Sequence, residues 1–578
     1  MAEFDTVIKG GTVIDGLRTP RHVADIGITD GRIAYIGKLR ASDGEQVLDA
    51  EGLIVAPGFV DLHTHYDGQV YWDPYCSISG WHGVTSVVIG NCGFGFAPVK
   101  PDDRERAMLS LARNEAIPLE SMQEGMPWDW ETYPEFLDSL ERTPKGVNLL
   151  SYVGLSPLMM YVMGIEAAKS RLPNDAEMAE MSRILEEAIK AGGCGFSAQV
   201  LGPGSGQRDY DGTPMITDTM APETLVAFAE VLGKCRAGFI QLTGGSMELN
   251  EQLAQASGRP VIYNLILAMA QDQHGNKMEG HHKTIAWLNE ANARGNRIFG
   301  QAVTVKIGYE FTLEHWNMFD TYELWREMTL GTVEERMAKM GDPERRPALR
   351  AEHDEGKGPS APGRDEETEI AGNVGRGLAV LTVQEVEDPS LKHFEGLTVQ
   401  EIADQSGKHV IDAFLDLGVA DKLQTTWVTP PEETDVQSMS EVANSPFAIP
   451  GVSDGGAHTK FLAMGVYPTE MLSELVRDHE IMDLEQAHWR LSAYPAMAAG
   501  FKDRGWIKEG SPADIVVYDL ENLGSGPMEK VYDLPAGQWR RVRRAEGYRW
   551  ILVNGEVTSE DGETTGATPG RLLRYGSG

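Results

Sequence analysis

Two histidines separated by one residue, His63 and His65, carry the clearest chemical signal in the sequence. They end an apolar run that is predicted to be a strand, and residues i and i+2 of a strand point to the same side. Two imidazoles on one rigid element form a good half of a zinc site. Asp61 precedes His63 by two residues on the same face, where its carboxylate could orient the histidines. The spacing therefore predicts a metal site at the end of this strand.

A His-x-His pair also occurs on ordinary protein surfaces, so the elements around it decide its meaning. After residue 57 the chain alternates between strand-like and helix-like segments, which indicates parallel βα units. The strand candidates are Thr85–Ile89, Val147–Tyr152, Gly195–Ser197, Gly238–Leu242, Pro260–Leu267 and Ile298–Val305. Helices are predicted at Asp175–Ala191 and Pro222–Lys234. The simplest arrangement is an α/β fold of the (β/α)8 TIM barrel type, with the two histidines at the end where barrel enzymes place their chemistry.

Both ends of the chain are rich in strands. Alternating apolar residues flank Asp30-Gly31 near the start and Asn554-Gly555 near the end, and both dipeptides favour hairpin turns. We therefore predict a small β-sandwich domain formed from residues 1–56 and 501–578. The barrel, residues 57–500, is inserted between its two parts.

A charged stretch at about residues 320–375 interrupts the alternation of strands and helices. Its composition predicts a helical insertion that ends in a mobile, solvated loop. A lid over the site is one role that such an insertion could have.

The composition excludes some classes of partner. The chain has 578 residues and a formal net charge of −36, from 87 acidic and 51 basic side chains. Phosphate groups would be repelled, which argues against nucleic acid and anionic membranes as partners. There is no apolar run of about 18 residues, no secretory signal pattern and no CxxC pair among the four cysteines. We expect a cytoplasmic protein that acts on a small molecule.

Longer segments around these residues carry a family resemblance. They are APGFVDLHTHYDGQ from Ala56, HGVTSVVIGNCGFGFAPV from His82, SDGGAH from Ser453, DRGWIKEGSPADIVVYD from Asp503 and TGATPGRLLR from Thr565. With these segments the chain resembles the amidohydrolase superfamily, and within it the N-acyl-D-amino-acid deacylase (D-aminoacylase) branch. The resemblance spans almost the whole chain and is weakest from about residue 240 to 440.

The resemblance implies hydrolysis of an amide by a metal-activated water. Asp454 matches the family aspartate that takes the proton of the water and passes it to the leaving amine. Cys92 matches the cysteine that serves as a zinc ligand in this branch, and a thiolate suits that role. We therefore expect a site with one zinc ion, or another divalent metal, held by His63, His65, Cys92 and Asp454.

The chain departs from the branch at three positions. The fifth strand reads Gln241-Leu-Thr-Gly where the branch has a histidine and an arginine, and the sixth reads Val261-Ile-Tyr-Asn264 where it has His-His-Lys. Leu155 stands in place of a third histidine. Without that arginine, a substrate with a free carboxylate is less expected than a neutral or cyclic amide or an ester.

Other polar residues could contribute to the site. His458 follows Asp454 by four residues, and Gln241 and Asn264 could hydrogen-bond a substrate carbonyl or bind a metal weakly. The pair His281-His282 falls past the sixth strand, where a helix is predicted to start, so we expect these histidines to be surface residues.

The sequence therefore predicts a metal-dependent hydrolase that cuts a carbon–nitrogen bond of a small molecule. One alternative is an N-acyl-D-amino-acid deacylase proper with rearranged fifth and sixth strands. Another is a catalytically inactive, metal-free homologue that binds a small molecule. A homo-oligomer is a further expectation.

Overall fold

The computed structural model describes residues 2–268, 280–317, 319–356, 377–430 and 435–576. Its strands are, in chain order, β1 (Phe4–Val13), β2 (His22–Thr29), β3 (Arg32–Gly37), β4 (Gly44–Asp49), β5 (Ile54–Pro57), β6 (Phe59–Asp61), β7 (Val84–Ile89), β8 (Asn148–Ser151), β9 (Val153–Gly154), β10 (Gly195–Val200), β11 (Phe239–Gly244), β12 (Val261–Ile266), β13 (Ile298–Ala302), β14 (Glu310–Phe311), β15 (Thr382–Glu385), β16 (Thr426–Val428), β17 (Ala448–Pro450), β18 (Ile515–Tyr518), β19 (Gly524–Ser525), β20 (Glu529–Val531), β21 (Arg540–Val542), β22 (Ala545–Glu546), β23 (Tyr548–Val553), β24 (Glu556–Glu560) and β25 (Glu563–Thr564).

The α-helices lie mainly between the strands of the middle of the chain. They are α1 (Arg104–Asn114), α2 (Leu119–Gly125), α3 (Tyr133–Arg142), α4 (Leu155–Met163), α5 (Ile165–Ser170), α6 (Asp175–Ala191), α7 (Pro222–Cys235), α8 (Met247–Ser257), α9 (Gly280–Ala293), α10 (Glu323–Thr329), α11 (Val333–Gly341), α12 (Arg346–Asp354), α13 (Val399–Ser406), α14 (Val410–Ala420), α15 (Val436–Asn444), α16 (Tyr467–Glu470), α17 (Leu484–His488) and α18 (Tyr494–Ala499). The predicted helix at Asp175–Ala191 is confirmed with its bounds, because Asn174 caps its start and Gly192 ends it in the left-handed conformation.

Parallel strands in chain order form the centre of the molecule. β6 pairs with β7, and β7 pairs with β8. After Tyr152 the chain continues as β9, from which the parallel order runs through β10, β11, β12 and β13 to β17. A parallel bridge between Thr64 and Gly455 connects the residues that follow β6 and β17. Helices cover these strands, so a strand such as β7 is buried along its whole length and is rich in valine and isoleucine.

A nine-stranded sheet combines both ends of the chain. Its order is β25-β24-β23-β18-β5-β1-β2-β3, with β4 also paired to β1. The central contact is antiparallel, between β5 of the N-terminal part and β18 of the C-terminal part. Side chains from both parts, such as Ile26 and Ile515, share one hydrophobic core. The two terminal parts therefore fold together, whereas the boundaries at residues 56 and 500 stay predictions.

The insertion contains helices, as its composition predicts. Helices α10, α11 and α12 fall within it, and β14, β16 and β15 form a small antiparallel sheet beside them. Buried aromatic rings hold this part together: Phe311 stacks on Trp316, and Phe414 packs on Trp427. The predicted mobile loop falls largely on residues 357–376, which lie outside the described residues.

None of the described helices is long and apolar enough to cross a membrane.

Candidate active site

His63 and His65 are held in place by the residues that follow β17. The hydroxyl of Ser453 donates to the carbonyl oxygen of His63 at 2.8 Å, and the amide of His65 donates to the carbonyl oxygen of Gly455 at 2.6 Å. The carboxylate of Asp61 accepts the amide hydrogen of His63 at 3.1 Å. Both imidazoles are buried, and their ring centres are 5.5 Å apart. The predicted pair therefore points into one shared, enclosed space.

Cys92 approaches the histidines from a tight turn after β7. Its φ is +56°, and the glycines on either side of the Asn91-Cys92 pair, Gly90 and Gly93, also have positive φ. The Cys92 Sγ atom lies 3.4 Å from His63 Nε2 and 3.2 Å from the hydroxyl of Thr243. A thiol at this position is thus part of the same cluster as the two imidazoles.

Asp454 completes the cluster from the segment after β17. Its Oδ1 atom lies 3.0 Å from His63 Nε2 and 3.8 Å from His65 Nε2. Asp454 has a φ of +44°, a conformation that is uncommon outside glycine and that is often found at functional sites. The four residues selected from the sequence are therefore brought together by three separate loops.

The donor atoms of this cluster fit a divalent cation. One ligand atom each from His63, His65 and Cys92 lies within 4.8 Å of the others. Two imidazole nitrogens, a thiolate and a carboxylate oxygen are the donors that zinc takes in proteins. His65 Nδ1 is buried and has no hydrogen-bond partner among the described residues.

Burial and charge set the ionisation of these groups. Burial lowers the pKa of His65 to about 3 and raises the pKa of Asp61 to about 7. Burial also works against a charge on His63, but Cys92 and Asp454 hold its pKa well above the usual value. Burial would raise the pKa of Asp454, yet contact with His63 holds that pKa below its usual range. Positive charge is thus favoured where the nitrogen, sulfur and oxygen atoms converge.

Gln241 and Asn264 make hydrogen-bond contacts with residues of the cluster. The side-chain oxygen of Gln241 accepts the amide hydrogen of Cys92 at 2.8 Å, and its NH2 group donates to Thr243 at 2.7 Å. The side-chain amide of Asn264 contacts His63 Nδ1, on the side of the ring away from Asp454. The two residues therefore contact Cys92 and His63, and a bond to a substrate carbonyl or weak metal binding by either of them stays a prediction.

His458 lies beside the cluster, and it contacts a residue that the sequence analysis missed. Its Nε2 atom is 3.9 Å from Asp454 Oδ2 and 3.6 Å from Glu115 Oε2. Glu115 directly follows α1, is buried, and its Oε2 has no hydrogen-bond partner among the described residues. Burial raises its pKa well above the usual value. Glu115 belongs to no recognisable motif. The sequence shows only a glutamate at the end of a helix, followed by apolar residues.

One pocket has Asp454 in its wall, together with two arginines, Arg540 and Arg541. Both arginines are already paired with carboxylates. Arg540 contacts Asp533 at 2.8 Å, and Arg541 contacts Glu310 at 2.7 Å. Neither guanidinium therefore presents an uncompensated charge to a ligand in this pocket.

A second, largely apolar pocket is lined by Phe94. The ring of Phe94 packs edge-on against His65, with centres 6.0 Å apart. Met160, Met215 and Ile165 are among the side chains that line this pocket. Apolar space is thus available next to the histidine cluster.

A model of the amidohydrolase family matches residues 46–558, so the chain belongs to this family, in its D-aminoacylase-like branch. The family resemblance drawn from the sequence is confirmed. The chain is a hydrolase that acts on carbon–nitrogen bonds other than peptide bonds.

Three deacylases illustrate the similarity. The N-acyl-D-glutamate deacylase of Alcaligenes xylosoxydans xylosoxydans is 26% identical over 99% of this chain and 97% of its own length. The D-aminoacylase of the same organism is 37% identical, but over only 35% of this chain and 38% of its own length. The solved N-acyl-D-glutamate deacylase of Bordetella bronchiseptica superimposes with a TM-score of 0.66 at 22% identity, covering 99% of this chain and 100% of that one. The likeness to the solved structure shows that the fold is shared.

Proposed function

We propose that this protein is a metal-dependent amidohydrolase that cleaves an amide or cyclic amide bond of a small molecule. The observation that carries the proposal is the convergence of His63, His65 and Cys92 on one point, with the Asp454 carboxylate 3.0 Å from His63. Two buried histidines without other ligands could equally have a structural role. Together with a buried thiol and a carboxylate, they form a complete donor set for zinc.

His63, His65, Cys92 and Asp454 would hold one zinc ion or a similar divalent cation. Such a cation activates water for attack on a carbonyl group and stabilises the negative charge that develops on the carbonyl oxygen. The solved deacylase of Bordetella bronchiseptica is complexed with zinc and a phosphonate inhibitor, which supports zinc here.

Asp454 would act as general base and then as general acid. Contact with His63 keeps its pKa low, so the carboxylate is ionised and can accept a proton from the attacking water. The same carboxyl group then delivers that proton to the leaving nitrogen as the carbon–nitrogen bond breaks. His458 and Glu115 lie on the other side of Asp454 and would keep the carboxylate oriented.

We infer that the substrate is neutral at the end that enters this site. The two arginines in the pocket wall beside Asp454 are paired with Asp533 and Glu310, so a substrate carboxylate would find no free cation among the described residues that line this pocket. The apolar pocket lined by Phe94 would accept an apolar substituent of the amide. A second candidate substrate is an N-acyl-D-amino acid. It is favoured by the similarity of the chain to an N-acyl-D-glutamate deacylase and an N-acyl-D-aspartate deacylase.

The finer description of the fold is also a proposal. We infer that the parallel strands, eight when β8 and β9 are counted as one, close into a (β/α)8 barrel, because the Thr64–Gly455 bridge connects the residues that follow the first and last of them. The sheet of both termini would form the predicted β-sandwich beside it. That the protein acts in the cytoplasm as a homo-oligomer stays a prediction.

The decisive experiment measures metal content and hydrolysis on the same sample, before and after chelation. Neutral N-acyl amides, cyclic amides and N-acetyl-D-amino acids are offered as substrates to protein with and without added zinc. We expect zinc-dependent hydrolysis of a neutral or cyclic amide. Preferred hydrolysis of N-acetyl-D-amino acids would identify a deacylase proper. A protein that binds no metal and hydrolyses none of these compounds would be a binding homologue, and the proposal would be wrong.

A further inference from the structure

Two adjacent histidines and one glutamate form a second cluster on the helices outside the parallel strands. His281 and His282 lie in the first turn of α9, and Glu441 lies in α15. The Nε2 atoms of His281 and His282 are 3.2 Å and 2.5 Å from the same atom, Glu441 Oε2. The prediction that both histidines are surface residues is right for His282 and wrong for His281, whose side chain is 1% exposed.

We propose that His281, His282 and Glu441 form a second divalent metal site, with zinc as the best-suited ion. Two imidazole nitrogens and a carboxylate oxygen are a donor set that zinc accepts, with water as a fourth ligand. In tetrahedral coordination with bonds of about 2.0–2.1 Å, neighbouring ligand atoms are about 3.3 Å apart. The three ligand atoms lie within 4.8 Å of one another, so small side-chain rotations bring them to that geometry.

The surroundings of the cluster favour a ligand role. The second oxygen of Glu441 accepts a hydrogen bond from Gln437 at 3.1 Å, which fixes the carboxylate in the way that metal ligands are commonly oriented. The partly exposed His282 and Glu441 leave solvent access for an ion, while the buried His281 supplies a fixed nitrogen. The rings are 4.1 Å apart and tilted by 52°, so both present Nε2 to one point.

Another group of two histidines and an acid, His353, Asp354 and His409, is less suitable. Nδ1 of His409 accepts the amide hydrogen of Ile411 at 3.1 Å, which leaves its proton on Nε2, the atom that contacts Asp354. A protonated nitrogen cannot bind a metal. His281 and His282 have no such bond at Nδ1 among the described residues.

A bound ion would link α9 to α15. These helices precede β13 and β17, which are neighbours in the parallel sheet. Because the ligands are distant in the sequence, an ion that binds only the folded chain stabilises it. The second site therefore has a structural role that is independent of turnover at His63 and Asp454.

The test counts zinc ions in the full-length protein without a polyhistidine tag. Protein is treated with a chelator, reloaded with zinc, freed of excess ion and analysed for metal. We expect the His281→Ala/His282→Ala double variant to bind one zinc ion per chain fewer than the parent, with its activity retained. Glu441→Gln should weaken the same site and is a second variant in case the first fails to fold. His393→Ala removes a histidine on an exposed turn and should change nothing.

Cobalt distinguishes the two sites if zinc is bound at both. Cobalt at the Cys92 site has a thiolate charge-transfer band, whereas cobalt at His281, His282 and Glu441 lacks one. Weakening of the first site alone, in Cys92→Ser, should leave the second ion and its thermal stabilisation intact. An unchanged metal count and an unchanged zinc-induced shift in melting temperature in both the double variant and Glu441→Gln would overturn the proposal. Failure of catalysis would not, because this site shares no residue with the catalytic cluster.

Discussion

His63 Nε2 and Asp454 Oδ1 lie 3.0 Å apart, although one residue follows the first parallel strand and the other follows the last. The Ser453 hydroxyl and the Gly455 carbonyl bond to the main chain of His63 and His65, so the loop that carries Asp454 is tied to the histidines on both sides of the aspartate. The distance between the proposed general base and the histidines is thus set by two hydrogen bonds to the main chain of His63 and His65, one of which comes from the Ser453 side chain.

Replacement of Asp454 by asparagine should abolish turnover without unfolding the protein. The amide has nearly the same shape but cannot accept the proton of the attacking water, so we expect kcat to fall by about 10³-fold. Steady-state kinetics and circular dichroism measure the two effects. Asp388→Asn, at an exposed helix start, is the matched control. Full activity of Asp454→Asn would contradict the mechanism.

Cys92→Ser should weaken zinc binding at the catalytic cluster, because a hydroxyl is a much poorer ligand than a thiolate. We expect zinc affinity to drop by more than about tenfold, measured by competition with a chromogenic chelator. Cys194, which is also buried but lies outside the cluster, provides the comparison. Cys194→Ser should lower stability and leave the affinity unchanged. Equal affinities for the two variants would remove Cys92 from the ligand set.

Asn264→Leu should reduce metal affinity, although Asn264 is not itself proposed as a ligand. Its amide contacts Nδ1 of His63, and metal binding through Nε2 requires the proton to be on Nδ1. The contact is made by the NH2 nitrogen of Asn264, and the side-chain oxygen has no hydrogen-bond partner among the described residues. A 180° turn of the amide on metal binding would place this oxygen where it accepts the Nδ1 proton, which a leucine side chain cannot do. Loss of such an orienting bond costs about 10–100-fold in affinity. Zinc titration checks this value, and Asn264→Asp should restore binding, since a carboxylate accepts the same hydrogen.

Glu115 and His458 should act as one unit. The carboxyl of Glu115 lies 3.6 Å from His458, which in turn lies 3.9 Å from Asp454. We expect Glu115→Gln and His458→Gln each to lower kcat by about tenfold with little change in KM, because the ground-state contacts of the substrate remain. The double variant should lose no more than either single variant. Additive losses would show that the two side chains act separately.

Acid should destabilise the fold through His82 and His488. Both are buried, and burial lowers the pKa of each to about 3, against about 6.5 in the unfolded chain. Between about pH 3 and pH 6.5, these two histidines therefore bind protons in the unfolded chain but not in the folded chain. The stability from these residues is fully present above about pH 6.5 and is lost as the pH falls toward about 3.

Each of these two histidines should lower the free energy of unfolding by about 2 kcal/mol as the pH falls from about 6.5 to about 5. The slope is about 1.4 kcal/mol per pH unit. Urea unfolding at these two pH values measures the loss. His488→Gln keeps a hydrogen-bonding group near Tyr518, whose hydroxyl is 2.7 Å from His488 Nε2, and should make the loss about 2 kcal/mol smaller. Because His393 is exposed, His393→Gln should not change the loss of stability between the two pH values.

The sequence by itself identified the candidate ligands. His63 and His65 follow a predicted strand with one residue between them, and the segments around Cys92 and Asp454 resemble those of the amidohydrolase superfamily. The alternation of strands and helices predicted the parallel α/β core, and the strand-rich ends predicted one domain built from both termini, which meet in one sheet. These features depend on residues that are close in the sequence or that repeat with a regular period.

Only the tertiary structure decided which distant residues meet. Glu115 reaches His458, Asn264 supports His63, and Glu441 faces His281 and His282, yet none of these contacts has a pattern in the sequence. The sequence also contained no sign that Arg540 and Arg541 are paired with carboxylates, a contact on which the proposed substrate class depends. The physical reason is that such contacts follow from how loops and helices pack around the strands, and packing depends on the whole chain at once.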